Sequence, residues 1–296
     1  MLSEQQIENH IKAGKIASEA LQYGKSLIKS GTKVIDVLDA VENKIIELGG
    51  EMAFPAQISL DQFAAHSCSD LIDETVLAKQ VVKLDVGVHI EGQIADNALT
   101  VDLSGKYEDL VKASRDALNN ALKIVKAGVE LREIGKVIED TIKSYGFEPV
   151  RNLSGHGLGL YQIHTNPSIP NFDNGSNVKL KEGDVIAIEP FASTGAGMVK
   201  DEGEATIFTL KSHAAVRDPI TRKVQDEIKK FKGLPFAKRW LEKKCGTKRT
   251  EFALRRLAMT GNLIIHKPLR DVSGGVVSQA EHSVIIGKEV VVFTRY

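Results

Sequence analysis

The stretch Val81–Leu103, VVKLDVGVHIEGQIADNALTVDL, constrains this chain more than any other. Two apolar runs flank Glu91-Gly92, and a two-residue turn there makes a β-hairpin. Asp85 and Asp96 lie inside those runs, where carboxylates are normally depleted. With Glu91 and Gly92 as the turn, Ile90 pairs with Gln93, Asp85 with Ala98 and Gly87 with Asp96. The two aspartates then share one face as diagonal neighbours, with Cβ atoms about 7 Å apart. Buried like charges at that spacing repel unless a cation lies between them. One extra residue in the turn would put them on opposite faces. The competing reading is an edge strand with two solvated aspartates.

Composition sets the outer bounds. The chain has 296 residues, 42% of them hydrophobic, enough for one large or two ordinary domains with ample core. Its formal net charge is zero, so nothing global draws it to nucleic acid or membrane. Cys68 and Cys245 are the only cysteines and supply no disulfide framework. No stretch approaches about 18 continuous apolar residues, the length of a membrane span. The opening MLSEQQIENHIKAGK is polar, without an apolar signal region. A cytoplasmic protein with no membrane partner is expected, and in it the sequon Asn152-Leu153-Ser154 carries no weight.

Along the chain, Ser3 with Gln6 makes a capping box for a helix reaching about Lys29. A second helix is expected from about Val34 to Leu48, stopped by Gly49-Gly50. Ala53–Ser59 reads as a turn leading into a strand. After the hairpin, helices are expected over Val111–Lys126 and from about Leu131 to Tyr145, with Gly146 beyond. Ile28–Gly50 aligns without a gap on Val125–Phe147: Gly31 on Gly128, Glu42 on Glu139, Ile45 on Ile142, Gly49 on Gly146. Shared glycine spacing is stricter than amphipathic patterning demands, so the chain reads as a duplicated helix–helix–hairpin unit. The second unit should then carry its own acid-bearing strands. Val185–Glu189 and Val276–Ile286, with Glu281, fit that role.

Between Glu189 and Glu281 lies a segment long enough to be a subdomain. It is rich in Lys and Arg, with helices expected near Thr221–Phe231, Phe236–Lys244 and Thr250–Met259, a turn at Thr260-Gly261-Asn262, and a strand Leu263–His266. Three helices and a β-wing resemble a winged-helix module. The expected division is a catalytic domain of residues 1–199 and 272–296 around an inserted subdomain of residues 200–271. A basic winged helix suits nucleic acid, whereas a solvated charged face on a structural lid is the plainer reading.

Four carboxylates from two equivalent hairpins can converge at the centre of a folded-over sheet. His156, in Ser154-Gly155-His156-Gly157-Leu158-Gly159, is a fifth candidate, because the glycines allow close backbone approach. Asp85, Asp96, His156, Glu189 and Glu281 form an oxygen-rich set with one imidazole. Such a set suits a pair of divalent ions bridged by carboxylates and water.

The runs DVGVHIEGQIAD, SGHGLG, IEPFASTGAG and AEH resemble methionine aminopeptidases of the pita-bread metallopeptidase superfamily, over nearly the whole chain. The insert, with Ala53–Ser59 and Ala64-Ala65-His66, resembles the type II subclass, and the short N-terminus resembles its archaeal form. The resemblance implies an α+β pita-bread fold with a pseudo-two-fold repeat. It implies two metal ions (Co, Mn, Fe or Zn) on the five residues above, bridged by Asp96 and Glu281. It assigns Glu189 a second role as proton shuttle, His164 to the scissile carbonyl oxygen and His66 to the amide beyond it. Phe54, Pro55, Gln57 and Ile163 would line a methionine pocket. Three positions depart from the family pattern at the expected substrate rim: Asn97 after the second aspartate, the loop Ser67–Asp73, and Thr165-Asn166-Pro167 after His164.

The function expected is removal of initiator methionine from nascent chains whose second residue is small, by a monomer, with ribosome association as a further possible partner. One alternative is a catalytically silent pita-bread protein that binds ribosome or RNA through the basic insert. Another is a prolidase-like dipeptidase, against which the insert argues.

Overall fold

The computed structural model describes residues 2–212 and 216–295. Helix α1 (Glu4–Leu27) starts on the expected capping box: Gln6 N donates to Ser3 Oγ at 3.2 Å, and Ser3 N donates to Gln6 Oε1 at 2.9 Å. Its small-residue stripe, Ala13, Ala17 and Ala20, is wholly buried and lets the helix lie close on the sheet beneath. Helix α2 (Val34–Glu47) packs beside it. Below them Val81–Ile90 and Gln93–Asp102 form the hairpin, paired as Ile90 with Gln93, Asp85 with Ala98 and Gly87 with Asp96. Gln57–Leu60 and Glu51–Met52 pair along the other edge of Val81–Ile90. Val82, Leu84, Val86 and Val88 meet the helices, so the aspartates, on alternate positions, face the other way.

The second half repeats the plan. Helices α3 (Glu108–Ile124) and α4 (Leu131–Ser144) cover a five-stranded sheet built from Ser154–Gly159, Gln162–Pro170, Val185–Ile188, His282–Ile286 and Val290–Val292. The repeat extends to single backbone groups. Gly31 and Gly128 take φ of 92° and 88°, and Gly49 and Gly146 take 81° and 82°. Gly31 N donates to Leu77 O and Gly128 N to Leu180 O; Val34 N donates to Thr75 O and Leu131 N to Val178 O.

The halves join along their inner strands. Ala98 and Glu281 form an antiparallel bridge. Ser283 Oγ accepts from Asp96 N and donates to Asp96 O, each at 2.8 Å. Lys83, fully buried, donates from Nζ to Asp61 O and Val277 O, both at 2.9 Å.

Helices α5 (Pro219–Ile228), α6 (Lys238–Cys245) and α7 (Thr247–Met259) enclose a separate apolar cluster with a small sheet. In that sheet Ile207–Leu210 is flanked by Phe236–Ala237 and Leu263–His266. Three helices and a terminal strand thus stand where the sequence predicts them, with boundaries a few residues different. Among the described residues no helix is long and apolar enough to cross a membrane.

Candidate metal centre

The two hairpins present their acids to one cavity of about 200 Å³. Asp85 and Asp96 reach it from the first hairpin. In the second, the ladder of Val185–Ile188 and His282–Ile286 ends at Ile188 opposite His282, so Glu189 and Glu281 are the next residue on each strand. His156 pairs with Ala187, which brings Glu189, two residues on, to the same face. The glycines beside His156 are explained by strand spacing: a Cβ at Gly155 would lie 2.3 Å from Ala187 O, and one at Gly157 2.3 Å from Asn166 O.

His156 Nε2 lies 3.7 Å from Asp96 Oδ2 and 3.6 Å from Glu189 Oε1. Ligand atoms of Asp96, His156 and Glu281 all fall within 4.8 Å of one another, and all three residues are buried. Asp85 Oδ1, Asp96 Oδ1 and Glu281 Oε1 are buried without a hydrogen-bond partner. Burial pushes the Asp85 carboxyl up to about 7, against hydrogen bonds from Gln279 and Asp96. Asp96, Glu189 and Glu281 are raised well above the ordinary carboxylate range, first by burial and then by neighbouring charge, from Asp85 on Asp96 and Glu189 and from Asp96 on Glu281. Burial, with His164 adding, draws His156 down to about 3, so its imidazole is neutral and free to ligate. Unpaired carboxylate oxygens around a neutral imidazole are a donor set that fits a divalent cation.

Every site residue expected from the sequence lines this cavity except Pro55, which is buried beside Phe54. Phe54 fills the space a side chain at Gly87 would need: a Cβ there would sit 2.1 Å from Phe54 Cε1. Gln57 lines the cavity but is committed elsewhere, since its Oε1 accepts from His66 N at 2.8 Å. That bond holds His66 in a left-handed conformation, φ 62°. His164 stands at the mouth, its ring edge-on to His156 with centroids 4.4 Å apart. Asn97 is not at the rim. It alternates with Asp96 on the strand, is fully buried, and is absent from the cavity wall. Neither its Nδ2 nor its Oδ1 has a partner.

Two residues went unnoticed in the sequence. Gln279 Nε2 donates to Glu281 Oε2 at 3.4 Å, a neutral donor among four acids. It precedes Glu281 by two in the run Val276–Ile286 expected as one strand, which forms as Val277–Gln279 and His282–Ile286, so alternation along the expected strand could have found it. His266, on the expected wing strand, lines the cavity with its ring 5.6 Å from that of His66, and Thr209 Oγ1 lies 2.9 Å from its Nε2. Burial, with His266 and then His164 adding, lowers His66 to about 4 against the Lys267 backbone. Nothing local in the sequence marks His266.

Residues 8–220 match the model of metallopeptidase family M24. Proteins named methionine aminopeptidase from Thermococcus onnurineus and Archaeoglobus fulgidus are each 47% identical to the chain, over 94% of it and 96% and 94% of themselves. The chain belongs to the methionine aminopeptidases of metallopeptidase family M24. The M24 fold is shared more widely. A methionine aminopeptidase structure from Thermotoga maritima matches with TM-score 0.73 at 23% identity, over 100% of this chain and 98% of that one. A thermophilic Arx1 matches with TM-score 0.85 at 19% identity, over 99% and 91%. A prolidase from Pyrococcus furiosus matches with TM-score 0.65 at 19% identity, over 99% of this chain but 65% of its own. Membership of an M24 metallopeptidase family implies divalent metal, and the unpartnered oxygens of Asp85, Asp96 and Glu281 fit it.

Proposed function

We propose that this chain removes the initiator methionine from nascent proteins whose second residue is small, using two divalent ions. The observation that carries this reading is the buried convergence of Asp96, His156 and Glu281 with Asp85 and Glu189 in a cavity that also has apolar walls. Asp85, Asp96, His156, Glu189 and Glu281 would hold the ions, with Asp96 and Glu281 shared between them. Mn, Fe, Co and Zn all suit such ligands. When bound, the ions supply a Lewis acid and a water acidic enough to attack at neutral pH.

The remaining work falls to the chain. Phe54 and Ile163 clasp a linear thioether between apolar walls, with Pro55 stiffening the backbone behind. Glu189 accepts the proton of the attacking water and returns it to the leaving amine. His164 donates to the carbonyl oxygen as it becomes tetrahedral, and His66 contacts the next amide. The loops Ser67–Asp73 and Thr165-Asn166-Pro167 follow His66 and His164 directly but lie outside the cavity wall, and would screen the second side chain from there. The segment of residues 200–271, read as an inserted winged-helix-like subdomain, contributes Ile207, Pro235 and His266 to the wall. Action on nascent chains places the enzyme in the cytoplasm, and the chain is read as a monomer.

The test is kcat/KM for Met-X-Ser tripeptides with X from Gly to Phe, beside Leu-Ala-Ser and Ala-Pro. Met-Ala-Ser should be cleaved fastest and Met-Phe-Ser poorly. Faster cleavage of Ala-Pro than of Met-Ala-Ser would replace this reading with a dipeptidase.

A further inference from the structure

Helix α6 carries Arg239, whose side chain is completely buried where the helix meets α2. Its Nη2 lies 2.5 Å from Glu42 Oε1 and its Nε 3.4 Å from Asp39 Oδ1. Its Nη1 donates to Cys68 Sγ at 2.9 Å. Two of these contacts, with Glu42 and Cys68, lead toward the site. Glu42 Oε1 also accepts from Ala56 N at 3.2 Å, fixing the segment that runs from Phe54 to Gln57. Gln57 in turn holds His66 N, and Cys68 lies two residues beyond His66. Thr206 Oγ1 adds a bond to Cys68 O at 2.6 Å.

We propose that Arg239 is a positioning residue: its guanidinium, buried between α6 and α2, sets both the Phe54 wall and the loop that bears His66. The inference rests on the aminopeptidase reading for its kinetic consequence. A guanidinium offers several donors in a fixed plane, and an ammonium at the same place cannot reach three partners at once. The repeat supports a purpose-built anchor. Glu139, the counterpart of Glu42, likewise accepts from a loop backbone group, Asp173 N at 3.0 Å, and from an arginine, Arg151 Nη2 at 2.8 Å. Arg151 comes from the same half as Glu139. Arg239 comes from the segment between Glu189 and Glu281, as does Trp240, whose Nε1 donates to Glu42 Oε2 at 2.8 Å, so that segment reaches the anchor of the substrate pocket through α6.

The experiment compares the full-length, metal-loaded wild type with Arg239→Lys, Arg239→Met and Lys243→Ala. Lys243 pairs with Asp39 on the exposed side of the same contact, at 2.7 Å, and serves as reference. Misplacement of binding groups by an ångström is costly, so KM for Met-Ala-Ser should rise about tenfold or more in both Arg239 variants, with kcat changing less. Preference for Met-Ala-Ser over Leu-Ala-Ser should shrink by a similar factor, and metal content should stay the same. A second readout needs no turnover: alkylation of Cys68 by iodoacetamide, mapped by mass spectrometry with Cys245 as internal reference. Cys68 should react about tenfold faster in the Arg239 variants. Loss of the guanidinium charge alone would make the thiol less acidic and slow the reaction, so acceleration reports release of the loop. Lys243→Ala should behave as wild type in both assays. Arg239→Lys with unchanged KM, unchanged preference and a protected Cys68 would overturn the proposal, including where Arg239→Met fails to fold. If the wild type releases no methionine, the aminopeptidase reading falls, while Cys68 protection still decides whether Arg239 holds the loop.

Discussion

Four acids sharing one buried cavity make opposite demands on the loaded and the metal-free protein. With ions bound, Glu281→Gln should cut kcat/KM about a hundredfold or more, since even outer partners of ligands matter on that scale. Without ions the same substitution removes one of several mutually repelling charges. The chelated variant should therefore melt higher than the chelated wild type, by calorimetry at pH 8. The sign of the pH dependence follows in the same way. Asp85 is raised to about 7 in the fold, from 3.8 in the free chain. Between those values the fold binds more protons than the unfolded chain, so apo stability falls as pH rises. Thermal scans after chelation should give a lower Tm at pH 8 than at pH 6, and Mn or Co should restore more at pH 8. An equal Tm at both would remove the repulsion argument. The hairpin acids were legible because alternation along paired strands fixes faces without knowledge of the rest. His266 and Arg239 were not, because each acts at the site only through packing between segments far apart in sequence.

At the scale of elements, the matched glycines allow a symmetric test. A Cβ at Gly31 or Gly128 would meet nothing within 4 Å, so the cost of alanine there is backbone strain alone. At φ near 90° each Gly→Ala change should cost about 1–2 kcal/mol. The two costs should be alike and additive in the double variant, by urea unfolding. Unequal costs would mean that the repeats are not held alike. Helix ends show where sequence reading stopped. Helix α3 begins at Glu108, not Val111, because Asp102 accepts from Ser104 N at 2.8 Å and Tyr107 N at 2.6 Å, shaping a turn that delivers the chain early. Side-chain capping across five residues leaves no periodic trace. The turn expected to lead into a strand within Ala53–Ser59 gives way to the strand at Gln57, with Phe54 before it covering Gly87.

At the scale of the molecule, the segment between Glu189 and Glu281 has its own apolar cluster, yet the pocket wall, the α2 contact and Lys232 all tie it to the rest. Lys232 Nζ donates to the Tyr161 hydroxyl at 2.9 Å. Replacing residues 200–271 by a short linker should not yield a smaller working enzyme. Glu42 would be left buried without its arginine, a loss worth about 3–5 kcal/mol where one partner of a buried pair is removed. The truncated chain should aggregate or melt well below the parent, and restoring the first half with Glu42→Gln should recover part of the loss. A truncated chain as stable as the parent would show that the contact is incidental. The shared carboxylate of the two repeats therefore has a historical consequence. A gene copy that inherits such an anion offers any newcomer a fixed docking point, and once a foreign arginine has taken it, the newcomer can no longer be traded between relatives as a free-standing module.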